Sequence, residues 1–397
     1  MAFENHVVVM GGCGRAGLPL GLAFAERGLK VVLFDINEAS VARVNAGQMP
    51  FREQGADDLL PGLLETGRLR ATADESSVAS AEHVVVVVGT PIDRHHNPDI
   101  SSVPRALEPV ASRLADGQLI VLRSTVFPGV TALVENLIAS LGRDIDVCFC
   151  PERIAEGKAL DELSSLPQIV SARTPRAMER ATALFRNLTD EIVELTPEEA
   201  ELAKLFTNTW RYIKFAAANQ LFMMANDFGL DFERIRHAVT YKYPRAADMP
   251  GPGFAAGPCL FKDTMQIAAF YQNKFTLGHA SVLVNEGLPL YLIDRIEQQH
   301  NLTALTVGIL GMAFKGNSDD PRESLSYKLR RLLKLKAKRV LSTDPHVTGD
   351  SELLPLDEVV KGSDLLIIAT PHREYAQLQT TTPTIDVSNL LGRGVRV

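Results

Sequence analysis

One short turn restricts what this chain can fold into more than any other feature. Gly12-Cys13-Gly14-Arg15-Ala16-Gly17 lies between a β-branched run, HVVVM, and an apolar stretch of helical length from about Leu18. The acid Asp35 then closes the next β-branched run, VVLFD. Glycines at 12, 14 and 17 permit the tight turn, the approach of backbone to a pyrophosphate and the packing of helix on strand. The helix N-terminus stabilises the anion, and a carboxylate at the end of the second strand bonds a ribose diol while repelling a 2′-phosphate. The pattern predicts a parallel-sheet dinucleotide domain that takes NAD in preference to NADP.

The alternation of strand and helix continues through VVVVV and LIVLRS to about residue 150, as in a sheet with crossover helices. From Thr196 the texture changes. Thr196 can cap a helix, Pro197 suits its first turn, Glu199 completes a capping box and Gly229 can end it, so one long helix is expected. A Gly/Pro-rich loop, MPGPGFAAGPC, precedes a mostly helical stretch from Phe261 to about Gln299. Strand runs return in TVGILGM, RVLSTDP and DLLIIATP. The expected fold is α/β: two Rossmann-like parallel-sheet domains joined by a helical central domain with one long helix. The expected boundaries are 1–195, 196–300 and 301–397.

Composition narrows the function classes. Lys plus Arg is 41 against 48 Asp plus Glu, a net charge of −7 that argues against a nucleic-acid or anionic-membrane surface. The purely apolar runs are strand-sized, and HVVVM follows the N-terminus without a leader-like segment, so a cytoplasmic protein is expected. Four cysteines do not make a disulfide framework, and Cys148 and Cys150, alternating on one expected strand, read as core thiols. The basic run from Arg322 to Arg339 reads as a solvated helix face rather than an anion site.

Four further motifs carry chemistry. Cys259 in GFAAGPCLFKDT sits where a loop meets a helix, with Lys262 and Asp263 following; a helix N-terminus and a nearby cation both favour a nucleophilic thiolate. Lys204 and Asn208, four apart on the long helix, present an ammonium and an amide to one point and can stabilise an oxyanion. CPERIAEG places Glu152 and Glu156 after a strand, where either can act as a general base. In GMAFKGNSDDPRES, Gly311, Lys315 and Arg322 can hold phosphates in a second nucleotide-type site.

With VGTP and RSTVFPG, these strings resemble the UDP-glucose/GDP-mannose dehydrogenase family over nearly the whole chain and in the family's order. The resemblance implies an N-terminal NAD domain, a C-terminal UDP-sugar domain and a central helix at a homodimer core, or a higher oligomer. It implies a four-electron oxidation of a sugar C6 hydroxyl to a carboxylate through a cysteine thiohemiacetal and thioester. By motif, Cys259 is the nucleophile and Lys204 and Asn208 stabilise the oxyanion. Asp263 with Thr125 positions water and protons, and Glu152 activates the hydrolytic water. Gly12, Cys13, Gly14, Ala16, Gly17, Asp35, Thr90 and Thr125 are expected at NAD, with Arg322 at its pyrophosphate. Glu152, Lys204, Asn208, Gly253, Phe254, Phe314 and Lys315 are expected at the UDP-sugar, with Arg245 reaching a neighbouring subunit's sugar site. No metal is expected.

The chain departs from the family pattern at Ala255-Ala256-Gly257-Pro258, before the cysteine, and at Ser40, where UDP-glucose enzymes often carry a basic residue. CPER resembles the branch acting on UDP-N-acetylhexosamines, whereas Lys262 with Asp263 resembles the UDP-glucose branch. UDP-glucose is the first expectation; UDP-ManNAc, UDP-GlcNAc or UDP-GalNAc is the alternative. A single-step hydroxyacid dehydrogenase would need neither Cys259 nor the segment from 305, and a non-catalytic nucleotide-sugar sensor would not need Lys204, Cys259 and Asp263.

Overall fold

Strands buried on both faces form the centre of the first of two units, Met1–Thr207. The computed structural model describes residues 3–397 apart from Arg94 and His96. In chain order the strands are β1 (Asn5–Met10), β2 (Val31–Phe34), β3 (Leu69–Thr72), β4 (Ala81–Val86), β5 (Leu119–Leu122), β6 (Asp146–Phe149), β7 (Gln168–Ala172) and β8 (Ile192–Leu195). They pair in the order β3-β2-β1-β4-β5-β6-β7-β8. The helices of this unit are α1 (Gly17–Glu26), α2 (Glu38–Asn45), α3 (Ala56–Glu65), α4 (Ser102–Ala111), α5 (Val130–Ser140), α6 (Ala159–Ser165) and α7 (Pro175–Phe185).

Successive strand side chains point to opposite faces, so one run feeds two cores. Val7, Val9, Leu33 and Val121 pack with Leu18, Leu22 and Phe185 on one side. Val8, Met10, Val32 and Ile120 pack with Leu107, Val134 and Ile138 on the other. Each such side chain contributes about 1.5–3 kcal/mol when fully buried. The strand order reverses between β1 and β4, and the crevice outside their carboxyl ends is where such sheets bind ligands.

The long helix is α8 (Pro197–Asp227), and the division between the units falls within it. Its capping box forms as the sequence predicts: Glu199 accepts from the Thr196 N–H at 2.8 Å, and Thr196 Oγ1 accepts from the Glu199 N–H at 3.4 Å. Gly229, at φ +69°, lets Leu230 N–H return to the Ala225 carbonyl at 2.9 Å and ends the helix. The second unit, Asn208–Val397, adds α9 (Phe232–Thr240), α10 (Leu260–Phe270), α11 (Thr276–Gln299), α12 (Leu325–Leu333) and α13 (Leu356–Gly362). Its strands β9 (Thr306–Leu310), β10 (Arg339–Thr343), β11 (Leu365–Ile368) and β12 (Thr384–Asp386) form a parallel sheet in the order β10-β9-β11-β12.

Three local details refine or correct the sequence reading. The stretch from Phe261 to Gln299 is two helices, because Gln272 and Asn273 take φ of 54° and 58° and turn the chain between them. The pair β6–β7 is antiparallel, since the seven-residue α6 is too short to carry the chain back along the sheet. Cys150 lies one residue beyond β6, although both it and Cys148 are fully buried.

The basic run is largely neutralised by acids of its own unit. Lys328 reaches Glu286 at 3.0 Å, Arg330 reaches Asp350 at 2.9 Å, and Lys334 reaches Glu352 at 2.7 Å. Asp344, just past β10, accepts the N–H groups of Met312, Ala313, His346 and Val347 at 2.6–2.9 Å. His372 Nδ1 accepts from the Asn317 N–H at 3.0 Å, so its Nε2 carries the proton that faces Asp344 at 3.0 Å. Burial alone would raise the Asp344 pKa; His372 and the backbone donors outweigh it and hold the carboxyl well below the usual range. Among the described residues, His346, His372 and Glu374 are the one His/acid group with metal-ligand spacing, and both nitrogens of His372 are engaged in this knot.

Candidate active site

The Gly12–Gly17 turn is shaped for a dinucleotide. A Cβ on Gly12 would lie 2.7 Å from the Leu33 Cα, and one on Gly17 would lie 2.3 Å from the Gly11 carbonyl oxygen. At Gly14 the nearest atom would be 3.3 Å away, so that glycine faces the open side of the turn. The N–H groups of Gly11 and Gly12 bond the Phe34 carbonyl, and that of Gly14 bonds Gly11. Among the described residues, no protein acceptor meets the N–H of Ala16 or Gly17 at the start of α1, and the first turn of α1 carries no acid. Asp35 accepts from Cys13 N–H through one oxygen and from Asn37 N–H through the other, at 3.0 Å each, which leaves lone pairs for two ribose hydroxyls. These residues fit NAD. Thr90 Oγ1 donates to the Thr125 carbonyl at 2.5 Å and joins the loops after β4 and β5.

In the same unit, Lys204 is buried, and its Nζ lies 4.0 Å from Glu152 Oε2. Glu152 Oε1 is buried without a hydrogen bond, as suits a carboxylate awaiting a water or substrate hydroxyl. The loop bearing Glu152 and Glu156 is pinned from outside. Glu53, 4% exposed, accepts from the N–H groups of Gly157 at 2.9 Å and Ala159 at 2.6 Å, and Glu162 accepts from Ala155 at 2.6 Å. Beneath the loop, Arg123, 2% exposed, donates to the Cys150 carbonyl at 3.0 Å and lies over the Phe185 ring at 5.1 Å. Burial pushes the Arg123 pKa down, and the nearby Glu152 charge opposes that shift.

The second unit carries the thiol. Cys259 is the N-cap of α10, is exposed, and its carbonyl accepts from the Asp263 N–H at 2.9 Å. The other thiols are buried. Burial, then the Asp35 charge, pushes the Cys13 thiol up to about 12, and burial raises Cys148 well above its usual range, so neither is a nucleophile at neutral pH. The fully buried Asp263 carboxylate accepts from Asn208 Nδ2 at 2.6 Å and pairs with Lys262 Nζ at 2.7 Å. Asn208 follows Lys204 by one turn of α8, so both side chains leave one helix face.

Asn219, three turns beyond Asn208, holds the loop before the cysteine. Its amide accepts from the Gly253 N–H at 2.9 Å and donates to the Gly253 carbonyl at 3.0 Å, while Asn285 of α11 receives a second donation at 3.0 Å. Gly257, at φ +100°, has Phe314 where a Cβ would stand, 2.4 Å from the ring. That contact accounts for the glycine retained in the Ala-Ala-Gly-Pro departure. Gly253, Phe254, Phe314 and Lys315 come together around a cavity of about 250 Å³ at the carboxyl end of β11, beside Ala369 and Thr370. Arg322 pairs with Asp320 at 2.6 Å, and Arg245 projects outward beside the Tyr243 ring. Glu53, Arg123, Asn219 and Asn285 were not singled out from the sequence. Of these, only Asn219 had a signal, its place on the Asn208 face of an expected helix.

A dinucleotide cradle, a helix-capping cysteine and a second nucleotide-type sheet define an NAD-dependent oxidoreductase acting on a nucleotide-linked substrate. The UDP-glucose/GDP-mannose dehydrogenase family models match in three parts: its NAD binding domain over residues 5–189, its central domain over 198–286 and its UDP binding domain over 308–393. The chain belongs to this family, and NAD is its cofactor. It is 30% identical over 377 residues to the UDP-N-acetyl-D-mannosamine dehydrogenase of Pyrococcus horikoshii, with 92% of this chain and 89% of that protein covered. The solved structure of the P. horikoshii enzyme superposes with a TM-score of 0.89 at 28% identity, covering 97% and 96% of the two chains. A UDP-glucose dehydrogenase from Pyrobaculum islandicum does so equally, at TM-score 0.89 and 28% identity over 99% and 97%.

Proposed function

We propose that this protein is a UDP-N-acetylhexosamine 6-dehydrogenase, acting first on UDP-N-acetylmannosamine and oxidising its C6 hydroxyl to a carboxylate. Several curated relatives bear that substrate's name, including the Escherichia coli K12 protein at 28% identity over 407 residues, and this favours the alternative over UDP-glucose. CPER in the Glu152 loop agrees. The observation that carries the chemistry is Cys259, an exposed thiol at a helix N-terminus one turn before the buried Asp263, which Asn208 and Lys262 hold.

The residues divide the work as follows. NAD, when bound, would supply the hydride acceptor for both oxidations. Lys204 and Asn208 stabilise negative charge on the C6 oxygen as the C6–H bond breaks, and a water held by Asp263 takes the hydroxyl proton. The Cys259 thiolate adds to the aldehyde carbon, forming a C–S bond, and the oxygen takes a proton. Loss of a second hydride and that proton leaves a thioester. Glu152 draws a proton from water, the water oxygen adds to the carbonyl, and the C–S bond breaks to return the thiol and leave the carboxylate. The cavity with Phe254, Phe314 and Lys315 would take the UDP-sugar, and Arg322 the cofactor pyrophosphate.

The test is an NADH count with limiting UDP-sugar and excess NAD. Two NADH per UDP-N-acetylmannosamine are expected, with kcat/KM for UDP-glucose at least about tenfold lower, the scale of one favourable contact. A single NADH would exclude the thioester route, and preference for UDP-glucose would overturn the substrate.

We further propose a homodimer through α8. Trp210, Leu221, Met224 and Phe228 are 45–81% exposed and recur at helical spacing along one stripe, an apolar face that a second copy would cover. Light scattering should return twice 43.3 kDa or a larger multiple; a mass of 43.3 kDa would exclude it. The four free thiols fit a reducing compartment such as the cytoplasm, and no helix among the described residues is long and apolar enough to cross a membrane.

A further inference from the structure

Arg15 occupies a variable position of the glycine turn, directly after the glycine that faces the open side, and its side chain meets two loops of the same unit. Its guanidinium lies 5.1 Å over the Phe51 ring and 3.9 Å from Glu156 Oε2, and it is 23% exposed. Those loops are fixed to each other. Glu53, two residues after Phe51, bonds the N–H groups of Gly157 and Ala159, just past Glu156. Arg15 brings to this group a long cationic side chain rooted at the pyrophosphate cradle, lying over an aromatic face and near the Glu156 carboxylate.

A dinucleotide brings two phosphate charges to the cradle. A guanidinium fork matches phosphate oxygens in a bidentate way, with stronger charge-assisted bonds than a carboxylate gives at 3.9 Å. The first turn of α1 has only backbone donors, and position 40, in α2, is a serine. We propose that Arg15 is a cofactor-binding residue of this chain, and that NAD draws its guanidinium from Glu156 onto the pyrophosphate. Glu156 then acts as a competitor for Arg15 that sets the cofactor affinity. This rests on the NAD-binding domain alone and is independent of which sugar is oxidised.

Calorimetric titration of the full-length protein tests it, with NAD, ADP-ribose and adenosine as separate probes. Arg15→Ala is expected to weaken NAD and ADP-ribose alike by at least about tenfold, the scale of one lost charge-assisted contact, and to leave adenosine within twofold. Glu156→Gln is expected to tighten NAD binding by severalfold in the parent protein and to have no effect when Arg15 is already alanine. UDP affinity serves as the check on folding, and Arg15→Gln replaces the alanine variant if UDP binding is lost. NAD affinity within twofold of the parent in the Arg15 variant, or looser binding in Glu156→Gln, would overturn the proposal.

Discussion

Cys259→Ser is expected to lower net uronate formation by at least about a thousandfold while leaving NAD and UDP affinities near those of the parent. The serine hydroxyl ionises far less readily than a thiol, and an ester intermediate yields more slowly to water than a thioester. Cys259 is exposed at the end of a loop, so one sulfur exchanged for oxygen should not disturb the core. Single-turnover traces should show aldehyde-level product or none. Uronate at the parental rate would exclude the covalent route for this chain.

The second large effect is expected at Lys204. Lys204→Met keeps the apolar stem of a buried side chain but removes the ammonium that faces Glu152 at 4.0 Å. Loss of charge stabilisation at the reacting oxygen should reduce kcat by about 10²–10³. A purely structural lysine would lower stability and leave kcat of the folded protein near that of the parent. A kcat within threefold of the parent would remove Lys204 from the proposed mechanism.

Much of the molecule was legible without coordinates because its rules are local. The Gly12–Gly17 turn, the Thr196–Glu199 capping box and the Gly229 stop depend on residues within a few positions of one another, and each forms as expected. Cys259 and Asp263 were related through one helical turn, and Lys204 and Asn208 through another. The break between α10 and α11 was not legible, since neither Gln272 nor Asn273 announces a positive φ as a glycine would. The antiparallel direction of β7 is not legible either, because strand direction depends on how far α6 travels and not on the composition of β7.

By itself, then, the sequence determined the class of fold, the cofactor and the residue types available for chemistry, because backbone geometry and side-chain reactivity act over a turn or a strand. Only the tertiary structure decided how those residues are held. Glu53 grips the Glu152 loop from 104 positions away, and Asn219 joins Gly253 to an asparagine 66 positions further along. A buried carboxylate or amide must find its donors wherever packing brings them, and sequence spacing carries no record of that distance.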